Sequence, residues 1–265
     1  MSDRITKTFE QVKKANRAAL IPFIMGYDPD AKTSGELLEA LADNGADLIE
    51  IGLPFSDPMA DGPTIQAAGL RALNAGASVK NILELVQNFR KKNSDTPIVL
   101  MGYFNPIYRY GNEQFCKDAK AAGVDGLILV DLPPEEEEEL TPFLKDAGIH
   151  FIRLIAPTSD GDRLKRLCDS ASGFIYYVAV AGITGAKSAD MNELQKQVSS
   201  LRNHTSLPIA VGFGIKTPEQ AKEVSAFADA VVVGSALVDG IHKAEANAAD
   251  AAAKFVSGLT KNLTR

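Results

Sequence analysis

Three carboxylates sit close together in residues 50–66, which read EIGLPFSDPMADGPTIQ. Glu50 falls inside the apolar run Asp47-Leu48-Ile49-Glu50-Ile51. Asp57 and Asp61 follow in a loop that also holds Pro54, Pro58 and Pro63. A carboxylate without a partner is costly in apolar surroundings. Desolvation favours its neutral form, so a buried glutamate keeps a proton near neutral pH and can deliver it. A general acid–base needs that behaviour. A salt-bridged or solvated strand end would account for Glu50 alone. It does not account for two aspartates in a rigid, partly apolar loop directly after it. The stretch therefore reads as an active-site segment, with Glu50 and Asp61 as its principal carboxylates. Asp61 has a second reading, as the cap of a helix starting at Pro63-Thr64. Asp131, after a later apolar run, precedes Leu132-Pro133-Pro134, and stabilising that turn is its simplest role.

A second chemistry-bearing pattern lies near the C-terminus. Val211-Gly212-Phe213-Gly214-Ile215 is a glycine-rich turn, and Val233-Gly234-Ser235-Ala236 passes from an apolar run into a helix start. Glycines let the backbone approach an anion, and the free amides of a helix N-terminus bind it. Either turn alone also fits plain chain reversal; the two together point to a phosphate. The fingerprint of a pyrophosphate is missing, so a monophosphate is expected. Residues 180–187, small and glycine-containing, read as a lid over the site or as a simple connector. Tyr176 and Tyr177 are adjacent in an apolar run, so by alternation only one can face inward.

Other candidates carry less. The run at residues 135–139 is all glutamate and follows Pro133-Pro134. Acids there favour a helix start, so a solvated first turn is expected and a metal site is not. His150, His204 and His242 all lie away from the C-terminal ends of the apolar runs. Cys116 and Cys168 fall in helical patterns and read as reduced, buried small hydrophobes, with neither a disulfide nor a metal pair expected. No metal is expected.

The elements that must position these residues alternate regularly. Apolar runs at 19–26, 47–51, 97–102, 126–130, 150–155, 174–179, 208–211 and 230–234 are short and rich in β-branched residues, as in strands buried on both faces. Helical patterns lie between them at 33–44, 79–92, 113–122, 135–147, 163–171, 191–202, 219–226 and 244–259, with an extra amphipathic helix at 5–15. Several joints repeat a glycine just past a helix end: Gly45, Gly123 and Gly148. Eight βα units without a linker predict a single-domain α/β fold over residues 1–265, a (β/α)8 or TIM barrel with an added N-terminal helix. Barrels carry their chemistry in loops after the strand C-termini, where Glu50, Asp61 and both glycine turns fall. The 265 residues are 45% hydrophobic with a net charge of −6, which argues against nucleic-acid binding. No run approaches the ~20 apolar residues of a membrane span, and the charged start Met1-Ser2-Asp3-Arg4 lacks a signal-peptide core. A cytoplasmic location is expected.

Taken in order, these motifs resemble the tryptophan synthase alpha chain family over essentially the whole length. The resemblance rests on residues 50–66, Asn105-Pro106, Asp131-Leu132-Pro133, residues 181–185, residues 212–215 and Gly234-Ser235-Ala236. It implies a lyase that cleaves indole-3-glycerol phosphate to indole and glyceraldehyde 3-phosphate. It implies Glu50 as catalytic glutamate and Asp61 as the aspartate binding the indole N–H. Tyr176 would stand near the glutamate, with Phe23, Met101 and Phe213 lining the substrate pocket. Gly185, Gly214, Gly234 and Ser235 would cradle phosphate, and Thr184 would close with the lid beside Asp61. The chain itself would need no cofactor. A separate beta chain carrying pyridoxal phosphate would complete an alpha2-beta2 complex, meeting this chain around residues 54–59 and 105–108. Val180 departs from the arginine that some members carry in the lid. Competing readings are a stand-alone indole-releasing lyase, a non-catalytic regulatory subunit, and another phosphate-binding barrel such as a sugar-phosphate isomerase.

Overall fold

Short β-branched runs with no polar face satisfy their backbone only by pairing with one another and bury both surfaces only under helices. In the computed structural model, which describes residues 3–179, 191–212 and 214–264, they do so as a closed parallel barrel. The strands are β1 (Ala19–Met25), β2 (Ile49–Gly52), β3 (Ile98–Gly102), β4 (Gly126–Leu129), β5 (His150–Phe151), β6 (Arg153–Ile155), β7 (Ile175–Val178), β8 (Ile209–Gly212) and β9 (Ala230–Val233). Their order is β5-β4-β3-β2-β1-β9-β8-β7-β6. The expected strand at 150–155 is thus split at Ile152. Its first part pairs with β4 and its second with β7, and this stave turning from one neighbour to the other closes the barrel of eight.

The helices are α1 (Arg4–Lys14), α2 (Ala31–Asp43), α3 (Pro63–Asn74), α4 (Val79–Arg90), α5 (Phe104–Tyr110), α6 (Asn112–Ala122), α7 (Thr141–Ala147), α8 (Gly161–Ser170), α9 (Met191–Leu201), α10 (Pro218–Ser225), α11 (Ser235–Ala244) and α12 (Ala248–Thr260). The glycine joints behave as read: Gly45, Gly123 and Gly148 take φ of +106°, +92° and +64°. Two helix expectations are corrected. Residues 135–147 are not one helix: a 3-10 turn, Glu137–Glu139, precedes α7. The glutamate run is also not merely solvated, because Glu137 pairs with buried Arg153, and Glu135 with Arg163 and Arg166. At the far end Ala244 closes α11, and Glu245 at φ +47° separates it from α12. Cys116 and Cys168 are free and buried.

Inside the staves, Ile21, Leu48, Val99, Ile128, Ile152 and Phe174 form an inner core that Ile5, Phe9 and Val12 of α1 close from below. The lower rim has its own repeat. The N–H groups of Leu20, Ile98, Phe151 and Ile209 donate to the side chains of Asp47, Asp125, Ser172 and Asp229, at 2.8, 2.8, 2.9 and 2.9 Å. Each acceptor precedes the next stave and caps the start of the one before, satisfying backbone groups at the sheet's end. Arg17, Arg90 and Arg202 hold the three aspartates in turn. With the lower end thus plugged and tied, the chemistry-bearing loops gather at the other end.

Candidate active site

Alternation along β2 puts Ile49 and Ile51 into the outer core and Glu50 into the barrel. Glu50 lies in register between Phe23 of β1 and Val99 of β3. It is 0% exposed, and among the described residues neither carboxyl oxygen has a hydrogen-bond partner. Burial alone pushes its pKa up to about 8, so it holds a proton at neutral pH. On β7, Tyr177 points outward and donates to Gln197 at 2.8 Å, so Tyr176 is the inward tyrosine. Burial, and then the nearby Glu50 charge, push the Tyr176 phenol well above its usual value. A Cβ at Gly212 would lie 2.5 Å from the Tyr176 hydroxyl, so glycine there makes room for the phenol.

Asp61 stands half-buried at the lip. It does not cap α3: the N-cap is Gly62, with no side-chain cap. Its backbone carbonyl accepts from Gln66 at 2.8 Å, and its carboxylate is left for other work. Burial raises its pKa, and a hydrogen bond from the Tyr103 hydroxyl opposes that rise. Tyr103 was not singled out in the sequence, although an aromatic directly after the C-terminal end of a barrel strand is a legible signal. Asp131 has a structural role other than the one expected: instead of bonding within its own turn, its carboxylate accepts the Phe104 N–H at the start of α5, at 2.7 Å. Asp57 is exposed and accepts from the Ser56 hydroxyl at 2.6 Å.

Glu50, Asp61, Tyr103 and Tyr176 share one cavity of about 510 Å³, which neither Asp57 nor Asp131 borders. Glu50 and Asp61 border it together with Phe23, Met101 and Tyr176, and Gly214, Gly234 and Ser235 border it as well. Met25, Ile65 and Val130 add apolar wall that the sequence did not announce. Gly234 caps the N-terminus of α11, where no side chain takes up the first-turn amides. Gly214, at φ +63°, has no described residue within 4 Å of a would-be Cβ. Among the described residues lining the cavity there is no lysine, arginine or histidine. An anion there would be met by backbone amides. Val180, Thr184, Gly185 and Phe213 lie outside the described residues. Among the described residues, no group of three His, Cys, Asp or Glu could hold a metal ion.

A parallel (β/α)8 barrel with a buried glutamate on its cavity, an aspartate at the lip and the N-terminus of α11 beside them has the build of a barrel enzyme. Comparison with known proteins sharpens this. The family model described as tryptophan synthase alpha chain matches residues 9–264. The structure of tryptophan synthase subunit alpha from Legionella pneumophila is 40% identical, covers 99% of each chain and superposes with a TM-score of 0.93. A tryptophan synthase structure from Mycobacterium tuberculosis matches at 32% identity over 100% of each chain, with a TM-score of 0.91. The chain belongs to the tryptophan synthase alpha chain family. It is a lyase that cleaves indole-3-glycerol phosphate in tryptophan biosynthesis.

Proposed function

We propose that Glu50 is the general acid–base of this cleavage and that Asp61 stabilises the charge developing on the indole nitrogen. The carrying observation is Glu50 itself, a carboxyl wholly buried and without a hydrogen-bond partner among the described residues, so that burial raises its pKa to about 8. The carbon–carbon bond leaves indole C3 readily only once C3 carries a proton. Glu50 supplies that proton and gives an indolenine. As the bond breaks, its electron pair returns to the ring, and the glycerol hydroxyl loses its proton to the Glu50 carboxylate, directly or through water. The glutamate ends as it began, protonated. Ionised Asp61 meets the indole N–H and offsets the positive charge there. Acid–base steps complete the reaction, so the mechanism calls on no metal or organic cofactor of this chain.

In the same reading, phosphate is held by amides around Gly214, Gly234 and Ser235, the open backbone beside the cavity. Phe23, Met101 and Tyr176 pack the indole and the reacting carbon. Thr184, Gly185 and Phe213 complete the enclosure. The partner is a beta chain that binds pyridoxal phosphate and consumes the indole, in an alpha2-beta2 assembly. Support comes from the exposed apolar residues Met59, Leu70 and Tyr108, at 75%, 61% and 60% exposure, which lie near the mouth on residues 54–61, α3 and α5. The reading includes a cytoplasmic setting; no helix among the described residues is long and apolar enough to cross a membrane. The test is to supply indole-3-glycerol phosphate and quantify indole and glyceraldehyde 3-phosphate, with and without a beta chain. Equimolar products and a faster rate with the partner are expected. Full activity without any partner effect would favour the stand-alone lyase.

A further inference from the structure

Residues 54–61 carry Asp61 to the cavity but form neither helix nor strand. Something outside the segment has to set where its carboxylate sits. Its own bonds are local: the Ser56 hydroxyl to the Asp57 carboxylate at 2.6 Å, Met59 N–H to the Asp57 carbonyl at 2.9 Å and Asp61 N–H to the Pro58 carbonyl at 3.1 Å. The following helix adds Gln66 on the Asp61 carbonyl. Among the described residues, the remaining hydrogen bond of the segment goes to Tyr103. Ala60 N–H donates to the phenol oxygen at 2.9 Å, and Tyr103 and Asp61 border the same cavity, close enough for the phenol to oppose the rise in the Asp61 pKa. A phenol has one proton to give, so with Ala60 donating to its oxygen, that proton is free to turn toward Asp61.

Tyr103 is itself held on several sides. It is buried and directly follows β3. Its ring meets Phe55 with centroids 5.4 Å apart. The N–H of the next residue, Phe104, is fixed by Asp131. A rigid strand end and a side-chain hook therefore place the phenol, and the phenol places the loop. Binding groups that are held before substrate arrives cost no reorganisation in the transition state.

We propose that Tyr103 is a positioning residue for the lyase reaction, its hydroxyl holding the Asp61 carboxylate where the indole N–H arrives. The proposal rests on the role given to Asp61 above. It has an electrostatic side as well: burial favours a neutral Asp61, and the phenol donation keeps the ionised form in play.

Tyr103→Phe keeps the ring and its Phe55 contact and removes only the hydroxyl. We expect kcat to fall about 10-fold, the size of one lost hydrogen bond to a charged group, with KM within roughly twofold. The acid limb of kcat/KM should move to higher pH, since an undonated Asp61 takes its proton more readily. In an Asp61→Asn background the same substitution should cost less than about twofold, because coupled residues do not lose activity additively. An unchanged kcat and acid limb in Tyr103→Phe would overturn the proposal. So would an equal loss in both backgrounds accompanied by a lower melting temperature, which marks a structural role. If Asp61→Asn matched the wild-type rate, the role of Asp61 would fall first and the inference with it.

Discussion

Glu50 holds its proton because β2 buries it without offering it a partner, and this has consequences for both rate and stability. The general acid must be protonated to start the reaction, so kcat/KM should decline as pH rises through about 8. An alkaline limb absent below pH 10 in the pH–rate profile would contradict that. For stability the sign is opposite to that of a salt-bridged carboxylate. The folded pKa lies above the ordinary glutamate value of 4.5, so between there and about 8 the folded state binds more protons than the unfolded state. Stability contributed by the protonated group is present below the unfolded pKa and is lost as pH climbs through the folded one. Glu50→Gln should thus gain stability relative to wild type from pH 5 to pH 8, measured by urea unfolding at each pH, as expected where a site trades stability for activity. Asp61→Asn should lower kcat more than it raises KM, since asparagine can still accept from the indole N–H but lacks the charge; a pure KM effect would reduce Asp61 to a binding residue. Glu50 was legible because a carboxylate inside an apolar run is a chemical anomaly. Alternation limited the tyrosine pair to one inward member, and the structure shows it to be Tyr176. Tyr103 was not legible as a partner of Asp61: that contact is made by a loop folding back across the mouth, and no periodicity encodes it.

At the scale of elements, strands and most helices followed from β-branched runs and glycine joints, with ends off by a residue or two. The exceptions have local causes. Ile152 interrupts the fifth stave where its pairing passes from β4 to β7. The glutamate run is pinned by arginines from β6 and α8, contacts between distant segments that a helix-start rule cannot see. Helix α5 is a single short element across Pro106, and proline in its first turns hid it. The lower rim was visible only as a rhyme of joints; the structure gives the rhyme its purpose, each side chain capping the preceding stave. Asp125 pairs with two arginines, Arg4 and Arg90, at 2.8 and 2.7 Å and accepts the Ile98 N–H. Asp125→Ala leaves buried Arg90 uncompensated and should cost about 3 kcal/mol of folding free energy. Activity per folded molecule should stay near wild type, because the rim lies at the end of the barrel away from the cavity. On the upper rim, Gly234→Asp should raise the Kd for inorganic phosphate and for substrate at least ~10-fold, by filling the approach to the α11 amides and by charge repulsion. Unaltered phosphate binding in calorimetry would move the anion elsewhere.

The whole molecule divides its labour between ends: a tied, plugged base for stability and an upper end for chemistry. The exposed Met59 and Tyr108 lie on the same segments that set Asp61, residues 54–61 and α5. A beta chain seated there would favour the arrangement competent for cleavage, and by reciprocity substrate analogues should tighten its binding by the same factor. A coupling of about 1–3 kcal/mol would appear as a roughly 5–150-fold shift in partner affinity with a non-cleavable phosphate analogue present; equal affinities would show the two events to be independent. The account stands most directly on one measurement, indole released from indole-3-glycerol phosphate by the wild-type chain and by Glu50→Gln, each with saturating beta chain. The wild type should release indole. The glutamine variant should fold and bind substrate yet be slower by at least ~10²-fold, whereas retention of half the wild-type rate would contradict the assignment of Glu50 as the acid–base.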